Sequence, residues 1–303
     1  MNAFRFDGRV AVVTGAGRGI GRAYALLLAA RGASVVVNDL GGSMAGEGSD
    51  AGPAAAVAAE IVEAGGAAIA DGSDISVVAG AEALIAAAVE RFGRIDVLVN
   101  NAGIIRWASF PEADLDTLER HLAVHVAGSF NTTRAAWPHM IGEGYGRIVM
   151  TTSTGMLGLP GNLSYATAKG GVVGLMRNLA VEGASHGIKV NAIAPAAVTR
   201  MAGPSGDEPE SVAPAMAPEQ VAPMVAYLAH EECPVTGEIY TAGFGRFARL
   251  FVATTEGYVA PDASVEDVAA HWAQINDEAG YSVPADLEAW SAAFTAHLRG
   301  ERA

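Results

Sequence analysis

The sequence predicts a doubly wound α/β fold: a parallel sheet with helices on both faces and a helical extension at the C-terminus. Three observations lead there. The first two-thirds of the chain alternates short β-branched runs with longer Ala- and Leu-rich stretches, the order that builds right-handed strand–helix–strand units. Runs such as Val10–Thr14 (VAVVT) and Val97–Asn100 (VLVN) are apolar on both faces, as strands buried between two helix layers are. From about Ala260 the chain turns acidic and amphipathic, with Trp272 and Trp290, which reads as a helical tail packed on the core or on a neighbouring subunit.

The elements follow in order. Val10–Thr14 is the first strand, with a glycine loop and a helix through residue 30 behind it. Ser34–Asn38 is the second strand, 53–64 a helix, 67–70 a weak strand, 77–92 a helix and 95–100 the fourth strand. Residues 115–140 are helical, 147–152 the fifth strand, 165–185 helical and 188–193 the sixth strand. Residues 201–218 hold four prolines and read as a loop. A helix over 219–230 and a last strand over 238–241 complete the sheet. The expected organisation is a nucleotide-binding domain over 1–255 and a C-terminal extension over 256–303.

Composition narrows the function. Of 303 residues, 51% are hydrophobic and 17% charged, enough apolar material for a large core and far from a disordered composition. The net charge of −14 argues against a nucleic-acid binder, because phosphate backbones repel an acidic surface. One cysteine, Cys233, precludes an intramolecular disulfide and a cysteine-based zinc site. No metal is expected. With neither a leader-like apolar stretch at the N-terminus nor a membrane-length apolar run, the expectation is a cytoplasmic protein.

The first strand runs into Thr14-Gly15-Ala16-Gly17-Arg18-Gly19-Ile20-Gly21 and a helix. Glycine lets the backbone turn sharply and approach a ligand, and a helix start offers free N–H groups and partial positive charge to a pyrophosphate. The plainer reading is a tight turn in a glycine-rich chain. The second strand ends in Asn38-Asp39, where a carboxylate accepts from adenosine ribose hydroxyls and repels the 2′-phosphate of NADP. The plainer reading of Asp39 is a cap or turn residue. Arg18 points the other way, since it can pair with that phosphate. NAD is the preferred cofactor and NADP the alternative.

Tyr165 and Lys169 lie four apart in a helical stretch, so both side chains share one face. A phenol is a poor base at neutral pH; a neighbouring ammonium favours its ionised form and lowers its pKa, making a proton donor–acceptor for an alcohol or carbonyl. The bland alternative is a surface pair. The fifth strand ends in Thr151-Thr152-Ser153-Thr154, where a hydroxyl at the carboxyl edge of the sheet faces the ligand crevice.

Together Thr14-Gly15-x₃-Gly19-x-Gly21, Asn100-Asn101-Ala102-Gly103, Ser153, Tyr165-x₃-Lys169 and Asn191-x₃-Pro195 resemble the short-chain dehydrogenases/reductases, which carry a Rossmann fold. The likeness spans about residues 5–245. VVVNDLGG, RAAWPHM, YGRIVMT and APEQVAPMVAYLAHEEC are similar to one branch, the (3R)-hydroxyacyl-CoA dehydrogenase part of the peroxisomal multifunctional β-oxidation enzymes and their bacterial single-domain relatives. The resemblance implies that Tyr165 moves the proton, that Lys169 lowers its pKa and binds the nicotinamide ribose, and that Ser153 holds the substrate oxygen. It implies that Gly15, Arg18, Gly19 and Ile20 surround the pyrophosphate and adjoining ribose and that Asp39 holds the adenosine ribose. Asp74 and Ile75 then flank adenine, Asn101, Ala102 and Gly103 line the cofactor trough, and Pro195 and Val198 meet the nicotinamide carboxamide.

Three departures stand out. Ser153 lies 12 residues before Tyr165, whereas Thr152 has the usual spacing of 13; matching from the strand side favours Ser153 and keeps Thr152 in reserve. His125 occupies the place of the family's relay asparagine, either as a relay or as a satisfied core histidine. Ala196 replaces the glycine after Pro195, so this turn is expected to differ.

The expected reaction is reversible oxidation of a secondary alcohol, with a 3-hydroxyacyl-CoA as substrate. A hydroxysteroid is the alternative, because Asp207, Glu208 and Glu210 in the variable loop do not favour the anionic CoA head, whereas Arg106, Arg200, Arg246 and Arg249 offer countercharge. An NADPH-dependent ketoreductase and a non-catalytic nucleotide sensor are further rivals. A homodimer or homotetramer built through 115–140 and 165–185 is the expected assembly, as in the family.

Overall fold

The computed structural model describes residues 4–158, 160–202 and 212–299. Eight strands form one sheet in the order β3-β2-β1-β4-β5-β6-β7-β8. They are β1 (Val10–Thr14), β2 (Ser34–Asn38), β3 (Ala67–Asp71), β4 (Val97–Asn100), β5 (Gly146–Thr151), β6 (Ile188–Pro195), β7 (Ile239–Gly243) and β8 (Arg246–Leu250). Every pairing from β3 across to β7 is parallel. The order reverses between β1 and β4, which opens a crevice at the carboxyl ends of these two strands. Register brings Thr14 beside Asn38, and Asn100 beside Met150, so the chemistry-bearing strand ends lie along one edge.

The apolar runs do what their composition requires. Val12, Val13, Val36, Val37, Leu98, Val99, Ile148 and Val149 are fully buried, covered by α1 (Gly19–Ala30), α2 (Gly52–Glu63), α3 (Val78–Phe92) and the helices that follow. Among the described residues no helix is long and apolar enough to cross a membrane.

The stretch read as one helix over 115–140 is three pieces. α4 (Leu115–His121) passes into a π-helical turn, Leu122–Ala127, and continues as α5 (Gly128–Glu143). α6 (Leu163–Gly183) begins two residues before Tyr165, and α7 (Ala222–Leu228) is shorter than expected. β8 was not anticipated. It follows β7 after only Phe244-Gly245, a hairpin-length connection, and its residues are half or fully exposed, so it carries no apolar signature. The loop over 201–218 contains the short turns Pro214–Met216 and Pro218–Gln220; Asp207, Glu208 and Glu210 lie outside the described residues. Pro195-Ala196 turns without a left-handed residue, since Phe244 is the non-glycine with positive φ among the described residues, and the Ala196 N–H donates to Ala242 O at 2.8 Å.

A compact unit ends at Arg249 and a second begins at Leu250. The second contains α8 (Val265–Ala270), α9 (Trp272–Ile275) and α10 (Leu287–Phe294). α8 starts with a capping box between Ser264 and Asp267, and Trp290 stacks on Phe294 with ring centroids 4.7 Å apart.

Candidate active site

The glycine loop between β1 and α1 is built on close approach. A Cβ added to Gly21 would lie 2.2 Å from Gly15 O, and one added to Gly15 would lie 2.7 Å from Ala102 Cα. Gly15 and Gly19 have φ of +63° and +53°, values that side chains rarely adopt. The loop is pinned to the end of β4 by reciprocal bonds. Thr14 Oγ1 accepts from the N–H groups of Asn101 and Ala102, each at 3.0 Å, and Asn101 Nδ2 donates to Thr14 O at 2.9 Å.

Asp39 at the end of β2 is a turn residue at a cleft. Its carboxylate accepts from Gly17 N–H at 2.8 Å and Gly41 N–H at 2.7 Å, so it shapes two turns. It also lines a cleft of about 180 Å³. Gly15, Arg18, Gly19, Ile20, Asp74, Ile75, Asn101, Ala102 and Gly103 line the same cleft. Pro195, Val198, Tyr165 and Lys169 do not; Thr199, Arg200 and Met201 are on the wall. Val198 is engaged further along the turn, where its N–H donates to Met216 O at 2.9 Å. The sequence reading also missed Gly42, Ser43, Gly46 and Arg120 on the cleft wall. The cluster of glycines between 41 and 52 was the available signal.

These features suit a dinucleotide. A diphosphate fits a bare-backbone turn at the N-terminus of the 12-residue helix α1, and Arg18 stands at the same cleft.

His125 packs against Gly103 and leads to Tyr165 and Lys169. A Cβ on Gly103 would meet His125 Cε1 at 2.5 Å. His125 faces Tyr165 edge-on, with ring centroids 5.4 Å apart at 90°. Lys169, one turn along α6 from Tyr165, is buried; its Nζ donates to Thr151 O at 2.7 Å and lies 5.5 Å from the Tyr165 ring centroid. The two candidate hydroxyls, Thr152 and Ser153, stand in different surroundings. Thr152 is fully buried and donates its hydroxyl to Lys169 O at 2.8 Å. Ser153 caps the short turn Thr154–Leu157 by accepting from Gly155 N–H at 3.0 Å, and it lies near enough to Tyr165 to oppose the rise of the phenol's pKa.

Protonation departs from the expectation in one respect. Burial pushes the Tyr165 phenol up, and Ser153 opposes that shift. The expected lowering by Lys169 is not what dominates, because burial pushes Lys169 itself down to about 7 and so weakens its charge at neutral pH. His125 is held well below the usual imidazole range by burial and by Lys169. Its Nε2 lies 2.8 Å from Ile104 O, and its Nδ1 has no protein partner. His121, which no motif flagged, is also fully buried and stacks on His125 at 5.9 Å.

A family model described as short chain dehydrogenase matches residues 9–209. The chain is 44% identical over 278 residues to the short-chain type dehydrogenase/reductase Rv0148 of Mycobacterium tuberculosis, covering 91% of this chain and 96% of that one. It is 45% identical over 292 residues to the peroxisomal multifunctional enzyme type 2 of Mus musculus, covering 94% of this chain but 39% of that enzyme. A crystal structure of a short chain dehydrogenase from Mycobacterium avium superposes with a TM-score of 0.78 at 39% identity, over 89% of this chain and 95% of that one.

The buried amine makes a thermodynamic prediction. Lys169 has a lowered pKa in the folded state, so between about 7 and its ordinary 10.5 the unfolded chain binds more protons than the folded one. Stability therefore gains a contribution as pH rises through that window. In urea unfolding at a series of pH values, wild type is expected to gain stability over this range relative to Lys169→Met; parallel profiles refute the burial of a titrating amine.

Proposed function

The chain belongs to the short chain dehydrogenase family, and from that premise we propose that this oxidoreductase uses NAD to oxidise, reversibly, a secondary alcohol of the 3-hydroxyacyl-CoA type. The observation that carries the reading is Lys169 Nζ 5.5 Å from the Tyr165 ring centroid, with His125 set edge-on to the same ring and packed against Gly103 of the cleft. When bound, the nicotinamide ring supplies the acceptor for the hydride, and the chain's contribution is position and field.

Ser153 Oγ, fixed by Gly155 N–H, holds the substrate oxygen and offers it a hydrogen bond where charge changes. Tyr165 Oη takes the hydroxyl proton in oxidation and returns it in reduction. Lys169 Nζ, anchored by Thr151 O, stabilises the phenolate when protonated. His125, buried and neutral, walls the far side of the Tyr165 ring and presents an unpartnered Nδ1 to a relay.

NAD is favoured over NADP by Asp39. The carboxylate is fixed by two backbone N–H groups at the cleft wall, and a 2′-phosphate there meets a like charge. The acyl-CoA class rests on the likeness to the peroxisomal multifunctional enzymes and on cationic side chains at the mouth, Arg120 and Arg200 among them. A hydroxysteroid remains the second reading, because Met216 is an exposed apolar side chain on the segment that bonds Val198. Self-association is proposed through α5 and α6. Together with α3 they line an open groove of about 910 Å³ that includes Phe130, Trp137 and Leu179.

Tyr165→Phe is expected to lower turnover by at least about 10²-fold while NADH affinity stays within about twofold; an unchanged rate removes tyrosine from the chemistry. Asp39→Ala is expected to acquire NADP-dependent activity, and a variant that remains NAD-only assigns the selectivity elsewhere. Competition between a 3-hydroxyacyl-CoA and a hydroxysteroid, followed at 340 nm, decides the substrate class; preference for the steroid overturns the acyl-CoA reading.

A further inference from the structure

His121 lies at the last residue of α4 and is fully buried, yet the proposed chemistry makes no use of it. Both of its ring nitrogens are occupied. Nδ1 lies 2.7 Å from Thr117 O, and Nε2 accepts the backbone N–H of Arg106 at 3.2 Å. A carbonyl on one nitrogen and an N–H on the other fix a neutral tautomer with its proton on Nδ1. The π-helical turn that follows brings His125 into a near-parallel stack on it, with 13° between the rings. Both rings turn their planes at right angles to Tyr165, at centroid distances of 6.4 and 5.4 Å.

The other end of this arrangement reaches the cofactor cleft. His125 and His121 bind successive parts of the segment after β4, at Ile104 O and Arg106 N–H. That segment holds the glycine-rich strap over 40–51. Ile105 N–H donates to Met44 O at 3.0 Å, Arg106 Nε donates to Ala45 O at 3.0 Å, and Arg106 pairs with Glu47 at 3.2 Å. Arg120 donates to Gly46 O from α4. Gly46 has no room for a side chain, since a Cβ there would lie 2.9 Å from Ile104 Cγ2. Gly42, Ser43 and Gly46 of the strap line the same cleft as Gly15, Asp39 and Gly103.

We propose that His121 is a positioning residue that tethers the segment 104–106 to α4 and thereby latches the strap 40–51 beside the dinucleotide. The contacts act in series: imidazole to Arg106 backbone, Arg106 side chain to strap, strap to cleft. The same imidazole is half of the wall against Tyr165, so cover and catalytic ring are located from one histidine pair. The inference rests on the reading of the cleft as a dinucleotide site.

The test measures NADH binding by its fluorescence and turnover at saturating cofactor in the full chain. His121→Phe keeps an aromatic ring beside His125 and Tyr165 but offers Arg106 N–H no acceptor. It is expected to raise the NADH Kd about tenfold while turnover at saturation falls less than about threefold, a split that general destabilisation does not give. Arg106→Ala, which cuts the next link, is expected to raise Kd similarly, and the double variant to bind no more weakly than the weaker single one. A folded His121→Phe that binds NADH within about twofold of wild type overturns the proposal, as do independent, multiplying effects. If His121→Phe does not fold, Arg106→Ala and Arg120→Ala carry the test, and unchanged Kd in both overturns it. Failure of the wild-type chain to bind NADH or NADPH defeats the dinucleotide reading instead.

Discussion

The amine of Lys169 is buried against Thr151 O, and the candidate active site is organised around that contact. Desolvating an ammonium is costly unless the site supplies partners. Here the partner comes from the end of β5, and the debt is returned in the next residue, where Thr152 donates to Lys169 O. Strand end and helix are thus bonded in both directions. The next residue, Ser153, leaves the strand as the cap of a short turn near Tyr165, which lies one helical turn before the lysine. The alignment of serine and tyrosine therefore follows from where a buried cation found its acceptor.

Charge is distributed against the average. The chain carries a net −14, yet Arg18, Arg120 and Arg200 converge on the cleft that Asp39 and Asp74 also line. A local excess of guanidinium in a shallow concave site attracts a dianion even when the whole molecule repels polyanions. Composition alone spoke to the second property and was silent on the first.

What was legible in the sequence is what depends on local pattern. The strands β1, β2, β4, β5 and β6 declared themselves because each carries an apolar run buried on both faces of the sheet. The glycine turn did so because Gly15 and Gly21 sit against backbone. Ser153, Tyr165 and Lys169 came from spacing and resemblance. β8 stayed hidden because an exposed edge strand has no apolar face to read. The strap and His121 stayed hidden because their contacts join residues about 60 and 15 positions apart, where no periodicity operates. Pro195 and Val198 were carried over from the resemblance, and the turn they occupy runs outside the cleft wall. The Tyr165 phenol is pushed up rather than down because a sequence shows a cation nearby but not that the phenol is itself buried.

The π-helical turn at Leu122–Ala127 gives the long helix one residue more than an α-helix needs over that stretch. Side chains before and after it are consequently out of phase with a single helical repeat, and it is this phase offset that lets α4 present His121 and α5 present Ser129, Thr132 and Thr133 to the interior. Length is therefore a coded quantity in this segment. A one-residue deletion between 122 and 127 would rotate one half of the helix against the other and turn buried polar groups outward, so insertions and deletions here are subject to a reading-frame constraint that surface loops of the same chain escape.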